Sequence, residues 1–232
     1  MLKETLLTVR DARWMWDLLG PVYNYHIYGA LREFYEEVAR LAPSEGPAGY
    51  LDVGTGRGYM ALQLARVHRA ASVVGIDHSV TQVRSAERLR RKWGVGNASF
   101  RQADALRLPF EDESFAGAVS VGSIKHWHDP KQGLAEIHRV LKAGGWLILS
   151  EVDPEVTDGE LRRFMKRLSP YRPLDPLLFR GLRDIIFGES FSREVLSARV
   201  AEAGFEAVAA SIAVTCPYII LTARKGKGSP CT

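Results

Sequence analysis

The stretch Leu51-Asp-Val-Gly-Thr-Gly-Arg-Gly58 constrains this chain more than any other. A short apolar segment, Tyr50–Val53, runs into three closely spaced glycines. A helical pattern follows over Tyr59–His68, carrying Met60, Leu62, Leu64, Ala65 and Val67. Strand, glycine turn and helix in that order let backbone approach a ligand, because glycine tolerates positive φ and has no Cβ. The helix behind the turn offers unpaired N–H groups and a positive dipole end, suited to a carboxylate or phosphate. A dinucleotide fingerprint wants glycine at its first, third and sixth places. Gly54 and Gly56 fill the first two, but Tyr59 holds the sixth. The spacing therefore departs from that of a nicotinamide-dependent oxidoreductase, the competing enzyme reading.

Downstream, strand and helix patterns alternate. Ala71–Ile76 reads as a β-branched strand, and Val80–Trp93 as an amphipathic helix with Ser79 as its N-cap. Ala98–Gln102 and Phe115–Val121 read as further strands. Asp129 and Pro130 open the next helix and Gly144-Gly145 closes it, with Leu134, Ile137, Val140 and Leu141 on its inner face. Trp146–Glu151 is a fifth strand. Such alternation predicts a parallel sheet covered on both faces. The prolines at 154, 170, 173 and 176 break the rhythm over residues 153–190, where short helices fit Gly159–Leu168 and Leu177–Phe187. The chain closes with a helix over Ser192–Ala203, a Gly204 stop, and strands Glu206–Val214 and Tyr218–Arg224 that read as an antiparallel hairpin. Residues 1–45 have helical spacing interrupted around Gly20-Pro21 and Gly29.

Composition narrows the function classes. The net charge of +4 is modest and its basic clusters, Arg88–Lys92 and Arg162–Arg167, suit solvated helix faces. That argues against nucleic acid as a partner, which normally requires a basic stripe. Cys216 and Cys231 are the only cysteines, too few for a disulfide framework or a cysteine metal site. With no signal-peptide core and no apolar run of membrane-spanning length, a cytoplasmic setting is expected.

Two acids fall at strand ends. Asp77, in Val73-Val-Gly-Ile-Asp77, follows the glycine turn by about 20 residues, a spacing that lets a carboxylate receive ribose hydroxyls. The competing reading is a helix N-terminal acid before Ser79, and the glycine turn favours the ribose role. Asp104 follows the third strand in Ala103-Asp-Ala-Leu-Arg-Leu-Pro-Phe110. Both should meet the glycine turn at the carboxyl edge of the sheet, where open α/β folds bind ligands. The loop Gly122-Ser-Ile-Lys-His-Trp-His-Asp-Pro130 holds His126 and His128. Two histidines without further ligands make no metal site.

These segments, with Arg139-Val-Leu-Lys-Ala-Gly-Gly145, resemble the ordered motifs of class I S-adenosylmethionine (SAM) dependent methyltransferases. They look closest to the small-molecule branch that includes the ubiquinone and menaquinone biosynthesis methylases. The resemblance covers residues 48–152 well, and the terminal hairpin agrees with it. It implies SAM as cofactor and a Rossmann-like α/β fold. We expect a seven-stranded, mostly parallel sheet with an antiparallel terminal hairpin. A helical cover would span 1–46, the cofactor-binding core 47–152, an inserted lid 153–190, and the final helix and edge hairpin 191–225.

The resemblance also implies roles. Gly54 and Gly56 would pass beneath the methionine part of SAM, with Ser123 close to it. Asp52 would support the loop or reach the cofactor amine through water. Asp77 would hold the ribose, and His78 would lie beside the adenine. Asp104 would accept from the adenine amino group, with the Ala105 N–H opposite a ring nitrogen. His126 sits where related enzymes often carry a histidine beside the substrate. Histidine suits proton transfer near neutrality, though His126 can also merely brace its loop. Tyr23 and Tyr28 would fold over cofactor or acceptor, or else pack in the core. Trp127 would line an acceptor pocket or pack beneath the lid. Lys125 and His128 depart from the residues usual in this loop.

Methyl transfer from a sulfonium needs in-line positioning and exclusion of water, and a base only when the acceptor is protonated. The expected acceptor is the O, N or C of a small organic molecule. The alternative to an enzyme is a non-catalytic SAM-binding module. Methylation of RNA or protein fits the modest charge less well, and homo-oligomerisation stays open.

Overall fold

The computed structural model describes residues 31–44, 48–168, 179, 183 and 190–227. The part of the N-terminal cover before residue 31 and most of residues 169–189 lie outside that set, and so do Tyr23 and Tyr28.

A helix over 31–41 (α1) precedes β1 (Gly49–Val53), α2 (Tyr59–Val67), β2 (Ser72–Asp77), α3 (Val80–Trp93), β3 (Ala98–Gln102) and β4 (Phe115–Val121). A 3-10 turn, Ile124–His126, leads to α4 (Pro130–Val140), β5 (Leu141–Val152), α5 (Asp158–Leu168), α6 (Arg193–Glu202), β6 (Phe205–Ile212) and β7 (Tyr218–Lys225). The strands form one seven-stranded sheet in the order β3-β2-β1-β4-β5-β7-β6. β1 pairs in parallel with both β2 and β4, while β7 is antiparallel to β5 and β6.

Alternation along each buried strand fills a core on both faces of the sheet. Tyr50, Trp146 and Ile148 belong to one core with Phe34, Leu62 and Val73, while Leu51, Leu147 and Leu149 belong to the other with Ile137, Leu196 and Ile219. The large indole of Trp146 is accommodated by Gly117 on β4, where a Cβ would overlap the ring.

Helix starts follow local chemistry. Ser79 Oγ accepts from the Gln82 N–H at 3.2 Å. Asp129 accepts from the Gln132 N–H at 3.0 Å, with Pro130 in the first turn. The end of α4 differs from expectation. The helix stops at Val140, and Leu141 already pairs with Phe115. Gly144-Gly145 therefore lies inside β5, with Gly144 at φ +75° and the register shifting before Gly117↔Trp146. Full burial of Leu141 outweighs the breaker signal of the two glycines. At the far edge, β6 also shifts register between Glu206 and Ala209, with Ala207 at φ +51°.

Candidate functional site

The sheet order reverses between β1 and β4: from β1 the chain builds outward to β3, then crosses back to β4. Ligands of open α/β folds bind at such a break, outside the carboxyl ends of the strands. Two adjoining cavities occupy this place, about 170 and 640 Å³ in volume. They share Gly54, Asp77, His78, Lys125, His126 and Trp127. The larger falls within the roughly 300–1,000 Å³ usual for ligand pockets.

The glycine turn forms one wall. Gly54, Gly56 and Gly58 all have positive φ. A Cβ on Gly54 would collide with Ser123, and one on Gly58 with Phe100 and Ala86, so two of the three glycines permit close packing behind the turn. A Cβ on Gly56 would meet nothing within 4 Å. Ser123 Oγ donates to the Val53 carbonyl at 3.2 Å and lies 3.0 Å from Ser120 Oγ, tying the end of β4 to the end of β1. Asp52 is buried beneath the turn, where its Oδ2 accepts from Thr55 Oγ1 at 2.5 Å and from the Ala61 N–H at 3.0 Å. Burial pushes its carboxyl up to about 7, against the opposing pull of those two hydrogen bonds.

Asp77 meets the turn from β2. Its Oδ2 accepts from the Gly56 N–H and its Oδ1 from the Ser79 N–H, each at 2.9 Å. The two roles expected of it, helix N-terminal acid and receiver of ligand hydroxyls, are compatible, since a carboxylate has roughly four acceptor sites. His78 follows, its Nδ1 3.7 Å from Asp77 Oδ1. Asp104 is exposed and holds its own loop by accepting from the Leu106 N–H at 2.9 Å. Asp104 and Ala105 line the larger cavity only. His126 ends the 3-10 turn, its N–H bonded to the Ser123 carbonyl at 2.9 Å, and it lines both cavities. The Trp127 ring packs over Gly133 of α4. The wall away from Asp104 is apolar and aromatic, with Leu31, Tyr35, Tyr59, Met60, Val152 and Tyr218. Tyr59, the residue that breaks the dinucleotide fingerprint, stacks on Tyr35 with ring centroids 6.1 Å apart.

Two features escaped the sequence reading. Arg139 staples the loop after β3: its guanidinium donates to the carbonyls of Leu108 and Phe110 and to the carboxylates of Asp112 and Glu136. The bond to Arg139 holds the Glu136 carboxyl below its ordinary range. Its place in the quoted segment 139–145 was the available signal. The second is an ion pair between Lys125 and Glu151, both side chains buried, with Nζ 3.6 Å from Oε2. Only the departure of Lys125 from family usage hinted at it.

A Rossmann-like sheet with a glycine turn and two strand-end acids around one cleft defines a nucleoside-binding α/β protein. Residues 51–149 match the family model of the methyltransferase domain. A demethylmenaquinone methyltransferase of Thermus thermophilus is 30% identical over 82% of this chain and 87% of its own length. The chain belongs to the class I SAM-dependent methyltransferases, for which SAM is the methyl donor. An O-methyltransferase of Penicillium expansum is 40% identical over 49% of this chain but only 41% of its own length. Across several such relatives the chain spans about half their length. A SAM-dependent methyltransferase from Aquifex aeolicus shares the fold, with a TM-score of 0.65 and 20% identity over 82% of this chain and 88% of that one. Among the described residues no helix is long and apolar enough to cross a membrane.

Proposed function

We propose that this protein methylates a small, ring-bearing organic acceptor at oxygen or carbon. The observation that carries the proposal is a pair of adjoining cavities that share Asp77, a polar end lined by Asp104 and Ala105 and an aromatic end lined by Tyr35, Tyr59 and Tyr218. The polar end suits an adenosyl group: Asp77 receives the ribose hydroxyls, His78 flanks the adenine, and Asp104 with the Ala105 N–H reads its edge. The glycine cradle suits the amino-acid portion, with Gly54 and Gly56 beneath it, Ser123 behind Gly54, and Asp52 setting the turn. The aromatic end, bordered by Leu31 and Val152, suits the acceptor, and Trp127 closes the space between. The Thermus relative is a demethylmenaquinone methyltransferase, which supports a ring-bearing acceptor, and the Penicillium relative is an O-methyltransferase, which supports oxygen as the receiving atom.

SAM supplies an electrophilic methyl on a sulfonium, so the protein's task is alignment and exclusion of water. His126 stands where both cavities meet and takes the acceptor proton at its imidazole. The described part of the N-terminal cover, residues 31–44, borders the acceptor end. Leu31 and Tyr35 of α1 already line it. Low cysteine content supports a cytoplasmic setting.

The test is S-adenosylhomocysteine formation with a panel of hydroquinones, phenols and amines. We expect turnover on the first two. His126→Asn should slow turnover by roughly 10²-fold or more while SAM affinity stays within a few-fold of wild type. Equal turnover would remove the base assignment, and turnover on amines alone would redirect the acceptor.

A further inference from the structure

Asp52 is only 1% exposed, yet it lines the smaller cavity. Both of its hydrogen bonds, from Thr55 Oγ1 and from the Ala61 N–H, fall on Oδ2. Oδ1 accepts none among the described residues. A buried carboxylate without a paired cation escapes the cost of its charge by taking up a proton. Oδ1 is where that proton sits, and it is the oxygen left for a ligand.

The other ionisable groups around this cavity are Arg57 of the glycine turn, Tyr59 of α2, Asp77 and His78 after β2, and Lys125 and His126 of the 3-10 turn, together with the tyrosines at 35 and 218. Lys125 is paired with Glu151 at 3.6 Å, and the Arg57 guanidinium lies over the Tyr59 ring, 6.0 Å from its centroid. The charge that acts on Asp52 is that of Asp77, and it opposes a second carboxylate. Burial, reinforced by Asp77, holds the Asp52 carboxyl up to about 7 against its two hydrogen bonds. Asp52 stands at the end of β1, beneath the glycine turn assigned to the amino-acid portion of the cofactor. That portion carries an ammonium at neutral pH, and an opposite charge within about 4–6 Å favours the ionised acid.

We propose that cofactor binding is linked to release of a proton from Asp52: the empty site holds the acid neutral, and the arriving ammonium ionises it. The proposal rests on the methyltransferase reading above and adds a proton to its binding step. The proton passes from Oδ1 to solvent as the ammonium enters, so the charge beneath the turn is balanced in both states. Linkage is reciprocal, so affinity for the cofactor rises as pH rises toward 7 and levels off above it.

The probe is S-adenosylhomocysteine, titrated calorimetrically at pH 6 in MES and in Bis-Tris, whose ionisation enthalpies differ. The difference between the two apparent binding enthalpies counts the protons released. The wild type should release about one proton per ligand at pH 6 and far less at pH 8, with affinity rising by up to about tenfold per pH unit below 7. The nucleoside 5′-methylthioadenosine, which lacks the amino-acid portion, should bind without that release. Asp52→Asn should bind S-adenosylhomocysteine with both the release and the pH slope lost. Infrared difference spectra of the wild type need no variant: a protonated carboxyl band should vanish when S-adenosylhomocysteine is added at pH 6. Binding without release, a band that persists, or equal release from Asp52→Asn or with 5′-methylthioadenosine overturns the linkage and leaves the methyltransferase reading standing. Failure of the wild type to bind S-adenosylhomocysteine overturns that reading and the linkage with it.

Discussion

Asp52 shows how one residue links the turn to pH. Its carboxyl is raised in the folded protein, first by burial, from an ordinary 3.8 to about 7. Between those values the folded chain binds a proton that the unfolded chain has released. The group's contribution to stability is therefore full below about 3.8 and declines as pH rises toward 7. Wild type and Asp52→Asn, compared by urea unfolding at pH 5 and pH 8, should show the wild type losing ground to the variant at the higher pH. A difference independent of pH would show that the acid is already ionised. Glu136 works in the opposite sense. Its depressed carboxyl stabilises the fold above the ordinary value of 4.5, and that stability fades as pH falls further. Cys216 is free and buried, with its thiol pushed up to about 12, so it should be inert to thiol reagents in the native protein.

At the scale of elements, the turn carrying Lys125, His126 and Trp127 depends on a residue of the following helix. Gly133 leaves room for the Trp127 ring, and a Cβ there would overlap it. Gly133→Ala should cost about 1–3 kcal/mol in urea unfolding, and should lower turnover more than it lowers cofactor affinity. What the sequence disclosed follows the same division. Ser79, Asp129 and Pro130 act on their own helices, so their roles were readable from neighbouring residues. Asp77 was readable because strand, turn and acid lie close along the chain. Gly144-Gly145 misled because the chain has already left the helix at Leu141 to pair with Phe115 of β4, far away in sequence. The Lys125–Glu151 pair was illegible because it exists only once β4 and β5 are in register.

Across the whole molecule, the cleft is built from the ends of β1, β2, β3 and β4, so a ligand there holds together elements that the chain forms separately. Binding to the folded state alone stabilises it by about 2.7 kcal/mol at 100 times Kd. For a chain of this size that corresponds to a Tm shift of about 2–4 °C per kcal/mol. S-adenosylhomocysteine should produce such a shift in a thermal melt, and NAD should produce none. Asp77→Ala should abolish most of it, since the same carboxylate holds the Gly56 N–H. The opposite margin of the sheet carries another consequence. Where Ala207 turns into the left-handed region, β6 loses its straight row of donors and acceptors. A foreign β-strand arriving at that margin meets an interrupted template, which hinders the edge-to-edge pairing that seeds a fibre.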